Sequence, residues 1–192
     1  MDRIDVSQAR DHVEMVEEIL ARSQQRLCAG GEFFVVWGLF SGIVTAIWQL
    51  VDNGVLPRTA LWVSAVALAI AIVFSVLRGR YYSQHGERRS FLEGEFFNVL
   101  WLTIGLAFIA NVAAFNLFSG WAQAAIWTFA ESIVLLYIGL HGNRRALICG
   151  VVMVASMVAA NFVSAGIAGY VLAAGMIVGY AGFGIADMLA TS

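Results

Sequence analysis

The chain has 192 residues, of which 60% are hydrophobic and 12% are charged, with a formal net charge of −2. A soluble domain carries about 25% charged residues, and a core of this size cannot bury so large an apolar excess. This composition excludes an ordinary soluble domain and indicates a surface in contact with lipid. All 11 cationic residues are arginines, and the absence of lysine excludes Schiff-base chemistry such as retinal binding.

The first predicted element is an amphipathic helix from Asp5 to about Leu27. An apolar stripe with a spacing near 3.5 residues runs along it: Val6, Ala9, Val13, Val16 and Leu20. Helices that lie on membranes are usually basic, whereas residues 1–30 carry six acids and four arginines. We therefore expect residues 1–30 to form a cytoplasmic helix that mediates self-association or docks on the protein's own loops. A separate cytoplasmic protein is the alternative partner.

Six apolar stretches then follow, each long enough for the roughly 20 helical residues that cross a bilayer. They are 32–51, 57–77, 95–116, 121–140, 145–163 and 166–189. Tight turns at Asn53-Gly54, Ser119-Gly120 and Ser164-Ala165-Gly166 make the helices of each pair antiparallel. The predicted fold is an all-α polytopic membrane protein in which residues 31–192 form a six-helix transmembrane bundle. Its three antiparallel hairpins are 31–80, 94–143 and 144–190.

The arginines predict the orientation of these helices. Ten of them precede the first span or lie between spans two and three or four and five, whereas Arg58 alone lies on the other side. Cytoplasmic loops carry the excess of positive charge in membrane proteins. This distribution predicts a multi-pass protein of the bacterial inner membrane with its N-terminus and C-terminus in the cytoplasm.

An internal repeat connects the first two hairpins. The segment Gly31-Glu32-Phe33-Phe34 recurs as Gly94-Glu95-Phe96-Phe97, 63 positions later, and the same offset aligns Gly42 with Gly105. The matches predict that residues 31–80 and 94–143 are two copies of one hairpin, related by an axis along the membrane normal.

Glu131 is the one charged residue deep within a predicted span, about 15 Å from the outer boundary. A carboxyl group at this depth costs a few kcal/mol and normally faces the bundle interior or a wet cavity. Its neutral form is favoured there, so Glu131 is a candidate for binding a proton or cation, together with Asn111 and Asn161 if they converge on it. The alternative is a protonated side chain that hydrogen-bonds to Ser132, Thr128 or an asparagine of a neighbouring helix.

Glu32 and Glu95 form a second candidate pair, each at the cytoplasmic start of a span. The helix dipole favours an acid at this position, and the alternative interpretation is a cytoplasmic cation site between two symmetry-related carboxylates. Two GxxxG spacings predict close helix packing: Gly38 with Gly42 and Gly175 with Gly179. The sequence contains no zinc-ligand cluster, phosphate loop or GxSxG motif, so we expect no catalytic residues, cofactor or metal and no nucleic-acid partner.

The segment from His12 to Ile19, the Gly-x-x-Phe start at Gly31 and the pair Trp37-Gly38 resemble a group of small membrane proteins. These are six-span bacterial inner-membrane proteins with an N-terminal cytoplasmic helix and a Trp-Gly in the first span. The resemblance implies the same topology and carries no site residues to this chain. Two functions remain open: a non-enzymatic membrane scaffold or regulator that acts through its cytoplasmic face, which we favour, and a small channel or proton-coupled transporter that uses Glu131.

Overall fold

The computed structural model of the protein describes residues 14–15, 30–85, 91–113 and 120–191. Glu14 and Met15 are helical, and the rest of the helix predicted from Asp5 to Leu27 lies outside the described residues. Every regular element in the described ranges is helical, which confirms the predicted all-helical class. The elements are α1 (Gly31–Asp52), a short 3-10 turn (Arg58–Leu61), α2 (Trp62–His85), α3 (Phe91–Ala113), α4 (Trp121–Leu140), α5 (Arg144–Ala160), α6 (Ala165–Met176), a π turn (Ile177–Ala181) and α7 (Gly182–Thr191).

Four helical segments of the described chain are long and apolar enough to cross a membrane. They are Gly31–Asp52, Arg58–Tyr81, Trp121–Leu140 and Ala165–Ala190. The last of these comprises α6, the π turn and α7, called the last helix below. Asn98–Ala113 of α3 is a shorter apolar stretch, and α5 has 17 residues, or about 25 Å of helix. The six predicted spans therefore correspond to six helical segments, of which four meet both criteria.

The turn between α4 and α5 shows how local sequence fixes the helix ends. Gly142 has a φ of 108°, a backbone conformation that favours glycine because a Cβ atom would clash there. Asn143 then caps α5, since its side-chain oxygen accepts hydrogen bonds from the N–H groups of Arg145 and Ala146 at 3.1 and 3.2 Å. Such a cap satisfies N–H groups that the first turn of a helix leaves free. The tight turn makes α4 and α5 antiparallel neighbours.

The centre of the bundle is formed by α1, α4, α5 and the last helix. The first and last helices are antiparallel, because Gly31 contacts Gly184 near one end and Gln49 contacts Gly169 near the other. The helix α2 packs on α1 at the edge of the bundle, and α3 packs on α4. The predicted repeat is not visible in this packing, since α1 is central and its predicted copy α3 is peripheral.

Polar contacts attach the peripheral α2 to α1. The indole N–H of Trp37 donates to the Ser75 hydroxyl at 3.0 Å, and that of Trp48 donates to Ser64 at 3.2 Å. Near the end of α2, Arg78 forms a two-pronged ion pair with Glu32. Apolar side chains alone give α2 little preference for one neighbouring helix over another, so these polar contacts help to select its position.

A chain of amide contacts joins the end of α1 to the start of α6. The Gln49 side-chain oxygen accepts from the N–H of Gly169 at 2.9 Å, and its amide nitrogen donates to Asn53 at 2.9 Å. Asn53 in turn donates to the carbonyl of Gly166 at 2.9 Å. Gln49 is buried, so its hydrogen bond with Gly169 is shielded from solvent, while the bond of Asn53 to Gly166 lies at the surface. Together these contacts fix the register of the two helices.

We expect Gln49→Leu to lower the free energy of unfolding by about 1–3 kcal/mol, because the buried N–H of Gly169 loses its side-chain acceptor. Thermal and denaturant unfolding in detergent micelles measures this change. Asn161→Ala is the control, since the exposed Asn161 amide bonds to the carbonyl of Met157 in its own helix. Equal losses in the two variants would contradict the assigned role of Gln49.

Candidate functional site

The two ends of the bundle differ in charge. Arg78, Arg144 and Arg145 lie at one end, called the arginine end below. The turn that follows α1, the start of α4 and the end of α5 lie at the other, called the opposite end. At the arginine end, Arg145 donates to the carbonyl of Ala186 at 3.1 Å, and the Arg78 guanidinium lies over the ring of Tyr81 at 4.9 Å.

Glu131 lies halfway between these ends. It is the eleventh residue of the 20-residue helix α4, so about 15 Å of helix separates it from each end. The hydroxyl of Ser41 on α1 donates a hydrogen bond to Oε1 of Glu131. The other carboxyl oxygen, Oε2, is buried and has no hydrogen-bond partner among the described residues. A half-satisfied carboxyl group therefore occupies the middle of the bundle.

Close packing of α1 on the last helix positions Ser41. A Cβ atom added to Gly38 would lie 2.4 Å from the backbone nitrogen of Ala181, and one added to Gly42 would lie 2.4 Å from the side chain of Ile177. Only glycine allows backbones to approach this closely. The two glycines flank Ser41, so the same contact that joins the helices brings this hydroxyl to Glu131.

The last helix widens into a π turn at this contact, over Ile177–Ala181. Tyr180 lies within this turn, is buried, and is within electrostatic range of the Glu131 carboxyl. Single π turns inside α-helices occur frequently at functional sites, because the extra residue redirects side chains. Sequence reasoning missed Tyr180, and the glycine-rich composition of 175–184 is the signal that could have suggested an irregular helix there.

An apolar cluster separates Glu131 from the arginine end. We call it the apolar plug, and it consists of Phe34, Leu135, Ile138 and Phe183. These side chains are buried and belong to one core cluster. The ring of Phe34 contacts those of Phe183 and Tyr180 at centroid distances of 4.9 and 5.0 Å. The four side chains come from three helices, α1, α4 and α7. They fill the interior between Glu131 and the arginine end.

The other half of the interior carries a polar stripe on α1. Ser41, Thr45 and Gln49 recur every four residues, which places them on one face of the helix. Thr45 and Gln49 are buried, at 8% and 4% exposure, and both line a small pocket at the opposite end together with Asp52 and Trp121. The surroundings of Glu131 are therefore apolar toward the arginine end, apart from Tyr180, and polar toward the opposite end.

The structure does not bring both candidate asparagines to Glu131. Leu147 packs against Gly139 and Leu136 against Gly150, a register that places Ala155 level with Glu131. Asn161 lies six residues further along α5, about 9 Å toward the opposite end, where it is exposed. Asn111 lies near the end of α3 with its amide nitrogen buried and without a hydrogen-bond partner in the described part of the chain.

The remaining candidates occupy helix starts and helix contacts. Glu32 pairs with Arg78, while the side chain of Glu95 lies outside what the structure describes, so the predicted carboxylate pair stays a prediction. Gly175 and Gly179 both face α5, where added Cβ atoms would lie 2.0 Å from the Ser156 hydroxyl and 2.3 Å from Met153. With Gly38 and Gly42, all four GxxxG glycines thus lie at contacts of the last helix.

The hydroxyls nearest in sequence to Glu131 do not bond to it. Ser132 donates to the carbonyl of Phe129 at 2.7 Å and Thr128 to that of Ala124 at 2.9 Å, both within α4. The site therefore offers one carboxyl and one hydroxyl, a smaller donor set than the six or more oxygens that hold Ca²⁺. No group of three or more potential metal-ligating residues occurs in the described ranges. The arrangement fits the binding of a proton.

Comparisons of the chain with protein-family models, with curated proteins and with solved structures find no match.

Proposed function

We propose that the protein is a small proton-translocating membrane protein, a channel or a proton-coupled transporter, in which Glu131 binds and releases the transported proton. The observation that carries this proposal is the Glu131 carboxyl group in the middle of the bundle, with one oxygen bonded to Ser41 and the other buried without a partner. The polar side chains on one side of Glu131 provide hydroxyl groups with which its carboxyl group can exchange protons.

The free-energy cost of burying the Glu131 carboxyl group supports a functional reason for this residue. A charged residue at the bilayer centre costs a few kcal/mol or more, and a buried polar atom without a partner costs about 1–3 kcal/mol. A carboxyl group retained for structure would recover this cost through hydrogen bonds to both oxygens. Here one oxygen is left without that compensation among the described residues. Stability given up in this way is typical of sites that are kept for activity.

The proposal includes a six-span topology in the bacterial inner membrane with both termini in the cytoplasm. In this orientation the arginine end faces the cytoplasm, in agreement with the distribution of positive charge in membrane proteins. The helix α5 is then the shortest span, and local thinning of the bilayer around it accommodates its length. The apolar plug lies on the cytoplasmic side of Glu131, and the pocket lies on the outer side.

We expect Glu131→Gln to abolish proton uptake without unfolding the bundle, since glutamine keeps the shape and the Ser41 contact but cannot exchange a proton. Purified protein in liposomes, a membrane potential and an internal pH dye measure the uptake. The wild type should exceed protein-free vesicles, and the variant should match them. Ser132→Ala is the matched control, as it removes a neighbouring buried hydroxyl that bonds within α4 and should leave uptake unchanged. Equal uptake by the wild type and Glu131→Gln would refute the proposal.

The scaffold or regulator function concerns residues 5–27, which lie outside the described chain except for Glu14 and Met15. It stays a prediction that the amphipathic stripe of this segment binds another copy or a cytoplasmic protein. The two functions are compatible in one molecule, since one uses the membrane interior and the other uses a segment that precedes it.

A further inference from the structure

A line of polar groups leads from the opposite end of the bundle to Glu131. Ser41 donates to the Glu131 carboxyl, and Thr45 and Gln49 continue the same face of α1 in steps of about 6 Å. All three contribute side chains that can accept and donate hydrogen bonds. The Thr45 hydroxyl lies 3.5 Å from the sulfur of Met176, which is only a weak acceptor.

A small pocket lies where this line meets the opposite end of the bundle. Thr45, Gln49 and Asp52 of α1 line it together with Trp121 at the start of α4. Asp52 is exposed, and its carboxylate leans toward Gly120, where an added Cβ atom would lie 2.7 Å from Oδ2. An exposed carboxylate at the mouth of a narrow pocket raises the local concentration of protons. One helical turn separates the pocket-lining Thr45 from Ser41, so a route through both hydroxyls requires a bridging water between them.

Toward the arginine end the apolar plug takes the place of such a line, with Tyr180 packed against Phe34 and the buried hydroxyl of Tyr137 further along α4. Phe34, Leu135, Ile138 and Phe183 fill the interior between Glu131 and that end, and each is less than 9% exposed. Tyr180 of the last helix is within electrostatic range of Glu131. Cys149 of α5 packs against the same core cluster as Tyr180. None of the four plug side chains carries a hydrogen-bonding group, so a proton cannot be passed along them.

We infer that, in the state described, Glu131 exchanges protons with the opposite end of the bundle alone, through the pocket, which Gln49 lines, and the hydroxyls of Thr45 and Ser41, with Asp52 as the collecting group. The inference rests on the proposed function and adds the side from which the site is loaded. A proton taken from outside water by Asp52 passes through pocket water. The Thr45 and Ser41 hydroxyls each accept one proton and release their own, and the Glu131 carboxylate gains one. The surrounding water loses one proton, so the step is balanced.

Labelling with dicyclohexylcarbodiimide tests the side of access. This lipid-soluble reagent reaches the site from both sides but reacts with the protonated carboxyl only, so the Glu131 adduct, measured by mass spectrometry, reports its proton. Vesicles carrying the full chain are made acidic on one side and alkaline on the other, and trypsin cleavage after arginine reports their orientation. We expect the adduct to follow the pH on the Asp52 side. The inference is overturned if the amount of adduct follows the pH on the arginine side, or follows the pH on both sides equally. It is also overturned if no adduct forms when the Asp52 side is acidic.

Variants of the stripe test the route itself. After a pH jump on the Asp52 side, Thr45→Val and Asp52→Asn should slow the change in labelling by about tenfold, the effect of one lost hydrogen bond on a barrier. With equal pH on both sides they should label as the wild type does. Thr103→Val is the matched control, because this buried threonine of α3 bonds to the carbonyl of Val99. Unchanged kinetics in both stripe variants would reject the route.

Different results would contradict the proposed function and the inferred side of access. If Glu131→Gln retains uptake, the proposed function fails whatever the labelling shows. If that variant loses uptake but the adduct follows the arginine side, the proposed function stands and the inferred side of access is wrong.

Discussion

Replacement of Gly38 with alanine should detach α1 from the last helix. The new Cβ atom would lie 2.4 Å from the backbone nitrogen of Ala181 and 3.0 Å from its Cα and Cβ atoms. Backbone atoms cannot swing aside as the end of a flexible side chain can, so the helices must separate. Overpacking of this kind commonly costs about 1–3 kcal/mol and sometimes more, and the backbone clash places Gly38→Ala at the upper end. The Ser41 hydroxyl, one turn away, would withdraw from Glu131.

Unfolding temperature and size-exclusion behaviour in detergent measure this effect. Gly105→Ala on α3 is the matched control, because the position lies open, with no described atom within 4 Å of an added Cβ. Alanine is a better helix former than glycine by about 1 kcal/mol, so the control should be neutral or slightly stabilising. A Gly38→Ala protein as stable as the control would show that the two helices do not pack as described.

Glu131→Met should make the protein more stable, by about 1–3 kcal/mol, while it loses proton uptake. Methionine has a similar length and a flexible apolar side chain, and it removes a buried oxygen that has no described partner. The released Ser41 hydroxyl can bond to the carbonyl of Trp37 one turn back in its own helix, a common arrangement for serine in helices. Stabilisation by the loss of a polar group is the opposite of what most core substitutions do.

Leu135→Met on the same helix is the control for this measurement. It places the same side chain in the buried core one turn from Glu131 and should change stability by less than about 1.5 kcal/mol. Thermal unfolding in the same detergent compares the two variants. If Glu131→Met instead lowers stability well below that of Leu135→Met, then Glu131 is a structural residue and the energetic support for the proposed function is lost.

The sequence predicts the helices better than their contacts. The sequence predicts the fourth span at 121–140, and α4 is Trp121–Leu140. It predicts the first span at 32–51, and α1 is Gly31–Asp52. Hydropathy and turn residues determine these bounds, and both are local properties. The Ser41 partner of Glu131 could not be predicted, because it depends on which face of α1 meets the interior. The same holds for Asn161, whose distance from Glu131 follows from the register of α4 and α5.

Gly42 and Gly105 illustrate the limit of local sequence. The offset of 63 aligns them, yet Gly42 contacts Ile177 and Gly105 lies open. A helix that is apolar all round can occupy either the centre or the edge of a bundle, and its partner decides which. The last helix is the partner of α1, and α3 has no equivalent contact with it among the described elements. Similar segments therefore occupy different environments.

The pairing of the first and last helices also has a consequence for biosynthesis. The chain leaves the ribosome at about 5–20 residues per second, so α1 is complete well before Ala165–Thr191 has been made. Until then the glycine face of α1 lacks its final partner, and the Ser41 hydroxyl has no Glu131 in its final position. Docking of the last helix on α1 is therefore a late event, and a chain that stops before the final helix keeps the contact of α4 with α5 but lacks the glycine contacts of α1.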